Sequence, residues 1–133
     1  MDDPGPLAPL SAAQLEIMHV VWARSEATVA DVWGALSARR KVARNTVLTM
    51  LARLEEKGWL TRDAGGHAHR YRAAVGREAT LGTMLGRLVE AGFGGSVEGL
   101  VLALLDRRGV SRDEADRIRA MIDRAERRGD EKS

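Results

Sequence analysis

The 133-residue chain contains no cysteine. Disulfides, thiol catalysis, thiolate zinc sites and iron–sulfur clusters are therefore excluded. Aromatic residues are scarce, at 4% of the chain: Trp22, Trp33, Trp59, Tyr71 and Phe93. The three prolines are confined to Pro4, Pro6 and Pro9. No run without charge reaches the ~20 apolar residues of a membrane-spanning helix. The start, Met1-Asp2-Asp3-Pro4, is acidic and lacks the basic opening and apolar core of a secretory signal, so a cytoplasmic location is expected. With 44% hydrophobic and 30% charged residues, the composition is globular rather than disordered. The length suits one ordinary domain or two very small ones.

The formal net charge is only +2, but it is unevenly spread. Residues 1–38 sum to −4, residues 39–72 carry nine basic and three acidic side chains for a sum of +6, and residues 73–133 hold eleven of each sign. A positive field concentrated in one third of a chain is the footprint of a polyanion-binding face. The plainer reading is a solvated basic surface.

Residues 1–9 show no periodicity and are expected to form a loose tail. Ser11 and Gln14 have the spacing of a capping box, with Leu10 and Leu15 at the flanking staple positions. Leu15, Met18, Val21 and Trp22 then recur every three or four residues, which predicts a first helix to about Arg24. Thr28, with Asp31 three residues on, opens a second helix whose inner face is Val29, Val32, Trp33 and Leu36. The basic turn Arg39-Arg40-Lys41 follows. A third helix is predicted from about Arg44 to Lys57, with Val47, Met50, Leu51 and Leu54 inside and Gly58 as its stop. The period then changes to two. Residues 59–62 and 69–73 read as strands around the turn signal Gly65-Gly66, which makes a hairpin.

From Arg77 the pattern is helical again. Leu81, Met84, Leu85, Leu88 and Val89 form one apolar stripe, broken at Gly92-Phe93-Gly94-Gly95-Ser96. A short helix from Val97 to Arg107 is apolar on most sides, with Leu100, Val101, Leu102, Leu104 and Leu105, and Gly109 ends it. Ser111 and Glu114 suggest another capping box. The last helix, about Arg112 to Arg127, carries Ala115, Ile118, Met121, Ile122 and Ala125 on one face and pairs such as Asp113–Arg117 and Asp123–Arg127 on the other. Three short helices with this much apolar surface are marginal alone. The simplest resolution is a two-fold homodimer whose contacts include Leu81, Leu85, Leu88, Leu100, Leu104, Leu105, Ile118 and Ile122. The alternative is that these helices pack back on the first 75 residues.

The expected fold is thus mainly α: a disordered tail over 1–9, a winged helix-turn-helix over 10–75, a helical dimerisation region over 76–128, and a tail over 129–133. In a winged helix the third helix enters the major groove and the hairpin is the wing. Asn45, Thr46, Thr49 and Arg53 lie off the core stripe of the third helix and suit base edges: Arg pairs with guanine, Asn with adenine, and Thr donates to a base edge or touches a thymine methyl. Arg39, Arg40, Lys41, Arg44, Arg70 and Arg72 are placed for phosphate, which sets affinity and register without reading sequence.

Two stretches carry a family resemblance. Leu10-Ser11 with Leu15-Glu16-Ile17-Met18-His19-Val20-Val21-Trp22 looks like the opening helix of the penicillinase-repressor family of BlaI/MecI/CopY type. Asn45-Thr46-Val47-Leu48-Thr49-Met50-Leu51-Ala52-Arg53-Leu54 with Lys57-Gly58 resembles its recognition helix. Arg70-Tyr71 matches the wing and Phe93-Gly94-Gly95-Ser96 the glycine loop, so the resemblance covers residues 10–128. It implies a homodimeric repressor on a palindromic DNA operator, dimerised by its C-terminal helices and read by Asn45, Thr46, Thr49 and Arg53. This chain departs from the family at Leu48, where Lys or Arg is usual, and at Ala43, where a Ser is common and caps better. The family's copper branch senses metal through C-terminal cysteines, which are absent here. Its β-lactam branch is released by a sensor-linked protease, commonly at an Asn-Phe bond; the matching pair is Ala103-Leu104, whose residues do not support that route.

Other chemistries find little footing. His67 and His69 could share a metal, but tetrahedral sites need three or four ligands; His19 is the only other histidine and Asp63 the nearest carboxylate. Ser96 lacks the second glycine of a nucleophile elbow because Glu98 stands there. The glycine loop lacks the third glycine of a dinucleotide site and follows a helix. No enzyme, metal or cofactor is expected. Two further classes remain: a small-ligand-sensing winged-helix regulator with a pocket between its domains, and a protein-interaction module, which would call for a neutral third helix.

Overall fold

In the computed structural model the described residues are 7–63, 65, 66 and 68–132. The elements are α1 (Ala12–Arg24), α2 (Val29–Ser37), α3 (Arg44–Glu56), β1 (Leu60–Asp63), β2 (Arg70–Ala73), α4 (Arg77–Gly92), α5 (Val97–Arg108) and α6 (Arg112–Lys132). This is the mainly helical class, with the helix–helix–helix–hairpin order that the periodicity implies. Two compact units are present, Met1–Leu85 and Gly86–Ser133. The division falls inside α4.

Local signals set the ends of the first three helices. The Gln14 N–H donates to Ser11 Oγ (3.1 Å) and the Ser11 N–H to Gln14 Oε1 (2.9 Å), a complete capping box on α1. Thr28 and Asp31 do the same for α2, at 3.1 and 3.0 Å. At the end of α3, Gly58 takes φ +92° while the Trp59 N–H donates to the Leu54 carbonyl (2.9 Å) and the Gly58 N–H to that of Glu55 (3.1 Å). This is the Schellman arrangement, and its usual apolar partners Leu54 and Trp59 are both buried.

The core of this unit joins Ile17, Met18 and Val21 of α1, Val32 and Leu36 of α2, Val47, Leu51 and Leu54 of α3, and Trp59, Leu60 and Tyr71 around the hairpin. Ile17 is fully buried although it lies outside the expected stripe, whereas Leu15 and Trp22 are only partly covered. Elements on more than one side of α1 widen its buried face. Trp33, expected inside, is 38% exposed. Its indole needs a hydrogen-bond partner and donates to the Val42 carbonyl (2.9 Å), while Val32 and Leu36 face the core. The other two indoles also donate to carbonyls, Trp22 to Val75 (3.0 Å) and Trp59 to Ala8 (3.1 Å).

That last bond corrects the loose tail expected over residues 1–9. Leu10 is buried, Leu7 packs on the core, and Ala8 is tied to Trp59; residues 1–6 lie outside the described residues. The hairpin is antiparallel, with Leu60 opposite Ala73 and Arg62 opposite Tyr71. Trp59 and His69, expected on the strands, sit just outside them. An isolated bridge between Ala27 and Tyr71, with bonds of 3.0 and 2.8 Å, adds a third strand position that no sequence signal marks.

In the second unit, Ser96 Oγ accepts the Gly99 N–H (2.9 Å) at the start of α5, and Gly109, with φ +66°, closes it. Ser111 Oγ accepts the Glu114 N–H (3.1 Å), but the reciprocal half of that box is absent among the described residues. α6 continues to Lys132, beyond the expected end near Arg127, so residues 129–132 are helical rather than a tail. Its sequence has no proline, and Ala, Arg, Glu, Lys and Met, all good helix formers, fill most of it. The expected pairs Asp113–Arg117 and Asp123–Arg127 are not formed among the described residues; Arg119 instead meets Asp116 at 3.0 Å. Of the expected dimer contacts, Leu81, Leu100 and Ile118 are half-buried, while Leu85, Leu88, Leu104, Leu105 and Ile122 are exposed in the single chain. Ala103 and Leu104 lie inside α5.

Candidate nucleic-acid interface

Burial of Val47, Leu51 and Leu54 fixes the roll of α3 about its own axis. The opposite side then carries Asn45, Thr46, Thr49 and Arg53, and all four are exposed. Among the described residues Arg53 makes no ion pair. A planar guanidinium and a primary amide on one open helix face can each make a bidentate contact with a base edge. The start of the helix is open as well. Ala43 occupies the N-cap with φ −77° and ψ 145°, and no side chain caps it, as its sequence implies.

The basic flanks behave in two ways. Lys41 and Arg44 are exposed and make no ion pair among the described residues. The other four candidate phosphate contacts are held by carboxylates that the sequence does not point to. Glu16 of α1 binds Arg40 and lies 3.9 Å from Arg39. The Arg40 hydrogen bond, opposed by partial burial and aided by the charges of Arg40 and Arg39, lowers the Glu16 carboxyl below its ordinary range. Glu26 meets Arg70 at 3.3 Å and Arg72 at 3.0 Å. Arg70 and Arg72 share the outer face of β2 because Tyr71 between them points into the core. Glu26 reaches them because the next residue, Ala27, is bridged to Tyr71. Each carboxylate offsets part of the positive charge of two arginines.

The hairpin is also tied to α3. Arg62 on β1 lies 3.6 Å from Glu55 on α3, and its guanidinium is 3.3 Å from His69 Nδ1. His67 lies outside the described residues, and no cluster of three potential metal ligands occurs among those described.

The model of the penicillinase repressor family matches residues 10–124. The chain belongs to the penicillinase repressor family. It is 36% identical over 118 residues to the transcriptional regulator BlaI of Mycobacterium tuberculosis, a match covering 87% of this chain and 84% of that one. Identity is 25% over 114 residues with the penicillinase repressor of Bacillus licheniformis, covering 86% and 89%. Among solved structures, the DNA-binding domain of the repressor BlaI superposes with a TM-score of 0.50 at 30% identity, covering 54% of this chain and 88% of that one. Wild-type MarR from E. coli superposes with a TM-score of 0.52 at 18% identity over 87% of this chain and 77% of that one, a likeness of fold. No single helix among the described residues is long and apolar enough to cross a membrane.

Proposed function

We propose that this chain is a sequence-specific DNA-binding transcriptional repressor that acts as a homodimer on an inverted-repeat operator. The observation that carries the reading is the open face of α3, where Asn45, Thr46, Thr49 and Arg53 stand together beside Lys41 and Arg44. Membership of the penicillinase repressor family supports it, as does the fold shared with the DNA-binding domain of the repressor BlaI. Asn45, Thr46, Thr49 and Arg53 read bases. Lys41 and Arg44 anchor phosphates directly, and Arg39, Arg40, Arg70 and Arg72 do so from their carboxylate clamps. The function is binding rather than catalysis, and the site of action is cytoplasmic DNA.

The dimer is held by the apolar faces of α4, α5 and α6. Residues 10–75 form the reading head and residues 76–128 the dimerisation region. Release follows from anything that opens α5, including cleavage within that helix by a sensor-linked protease. A second release route, by a small apolar ligand, is favoured by a groove of about 490 Å³ between α5 and α6, lined by Val101, Leu104, Leu105, Ile118 and Ile122. The same surface serves the dimer, so ligand and partner would compete for it.

Selection of bound duplexes from a random library by the full chain tests the reading. The expected product is an inverted repeat with half-sites about 34–36 Å apart, or a multiple of that. A monomer in sedimentation at micromolar concentration, with tight binding to a lone half-site, would overturn it.

A further inference from the structure

Leu48 is an oddity of the reading helix. It is 41% exposed, on a helix whose other open positions are mostly polar or charged. Among the described residues, the unit Met1–Leu85 exposes two other large apolar side chains, Trp33 and Leu85. Trp33 is anchored through its indole to Val42, and Leu85 stands at the boundary of the unit. Leu48 has neither excuse.

Helical geometry places it beside the base-reading residues. At ~100° per residue, positions 45, 49 and 53 form one row along α3, and positions 44, 48 and 52 form the next. Leu48 therefore follows Arg44 and precedes Ala52 in a row next to Asn45 and Thr49. Leu48 and Ala52 are both exposed and together make a short apolar strip along the polar row. In the major groove the one apolar group on a base edge is the C5 methyl of thymine, and an A·T pair presents that methyl beside the adenine edge that Asn reads.

We propose that Leu48 is a specificity-determining residue that packs on the C5 methyl of a thymine in each half-site, next to the pair read by Asn45. The proposal rests on α3 being the reading helix. A cation at this position would make a charged contact insensitive to that methyl. Leucine instead covers an apolar group on a particular base, so part of the sequence preference becomes a preference for thymine over any base without the methyl, uracil included.

The probe is a duplex selected by the full chain from a random library, with each thymine replaced singly by uracil so that only a methyl is removed. Wild type and Leu48→Ala are titrated against each duplex. At one thymine per half-site, uracil is expected to weaken the wild type by roughly fourfold, the factor of one methyl-sized apolar group, while Leu48→Ala binds the thymine and uracil forms equally. Leu48→Lys, the second variant, should also ignore the methyl and should steepen the salt dependence by about one unit. Because Leu48 is exposed and Ala is the better helix former, circular dichroism should find both variants folded. If every uracil substitution affects wild type and Leu48→Ala alike, the inference is wrong while α3 remains the reader. If no duplex is enriched, the reading of α3 fails and the inference with it.

Discussion

Arg53 and Lys41 differ in what their removal should do. Arg53 stands on the open face of α3 with no carboxylate claiming it among the described residues, so Arg53→Ala should relax base preference at one position per half-site, at a cost there of ~1–3 kcal/mol. Lys41→Ala should weaken all sequences alike and lower the salt slope by about one unit. Titration of operator variants at several salt concentrations separates the two; unchanged base preference in Arg53→Ala would remove that residue from the readers. Arg70 and Arg72 are a third case. Their charge is shared with Glu26, so neither acts as a free cation. The exposed arginines are legible in the sequence as phosphate candidates. Their clamps are not, because Glu16 is 24 residues from Arg40 and Glu26 is 46 from Arg72.

At the scale of elements, α2 depends on the reciprocal bonds between Thr28 and Asp31. The backbone hydrogen bond with Thr28 is the main reason the Asp31 carboxyl titrates below an ordinary aspartate; the Thr28 hydroxyl and the charges of Arg24 and Arg70 act the same way, and burial opposes them. Thr28→Ala should lower stability by about 1 kcal/mol. The acid limb carries the same signature. A carboxyl whose folded pKa is depressed contributes its full stability above its unfolded value, about 4, and loses it as pH falls through the lower folded value. Asp31→Asn should therefore be less stable than wild type near neutrality, with the gap narrowing below about pH 4. Urea unfolding followed across that range checks the slope; a gap independent of pH would mean that the carboxylate charge is not what caps α2. The boundaries of α1, α2 and α3 are legible because Ser11, Thr28 and Gly58 act on atoms within a few residues. The extra turn of α6 past Arg127 is less so, because its apolar stripe ends at Ala125 and the charged residues beyond carry no sharp stop signal.

At the scale of the molecule, the proposed dimer would draw its operator affinity from linking two reading heads, since a second half-site contact becomes intramolecular once the first is made. Leu104 is 51% exposed in the single chain, in a helix with no buried residue. Leu104→Ala should therefore leave the monomer folded. In a two-fold interface, however, the loss falls twice, at up to the ~2–5 kcal/mol of a buried leucine. Sedimentation should shift toward monomer and gel-shift affinity for the full operator should collapse, while circular dichroism and the fold of Met1–Leu85 persist. A dimeric variant with normal binding would place the interface elsewhere on the chain.

What the sequence determined by itself was the set of interactions that span a few residues: the caps, the apolar stripes, the left-handed stop at Gly58, the polar outer face of α3 and the basic character of residues 39–72. Periodicity and capping act over one or two turns, so they can be read along the chain. Tertiary structure decided the rest. It fixed which arginines are clamped, brought Ala27 beside Tyr71, drew Leu7 onto the core, tied the Ala8 carbonyl to Trp59 51 residues away, and turned Trp33 outward to meet Val42. These contacts depend on how the helices pack around a shared core, and no local pattern encodes a carboxylate's distance from an arginine many residues away.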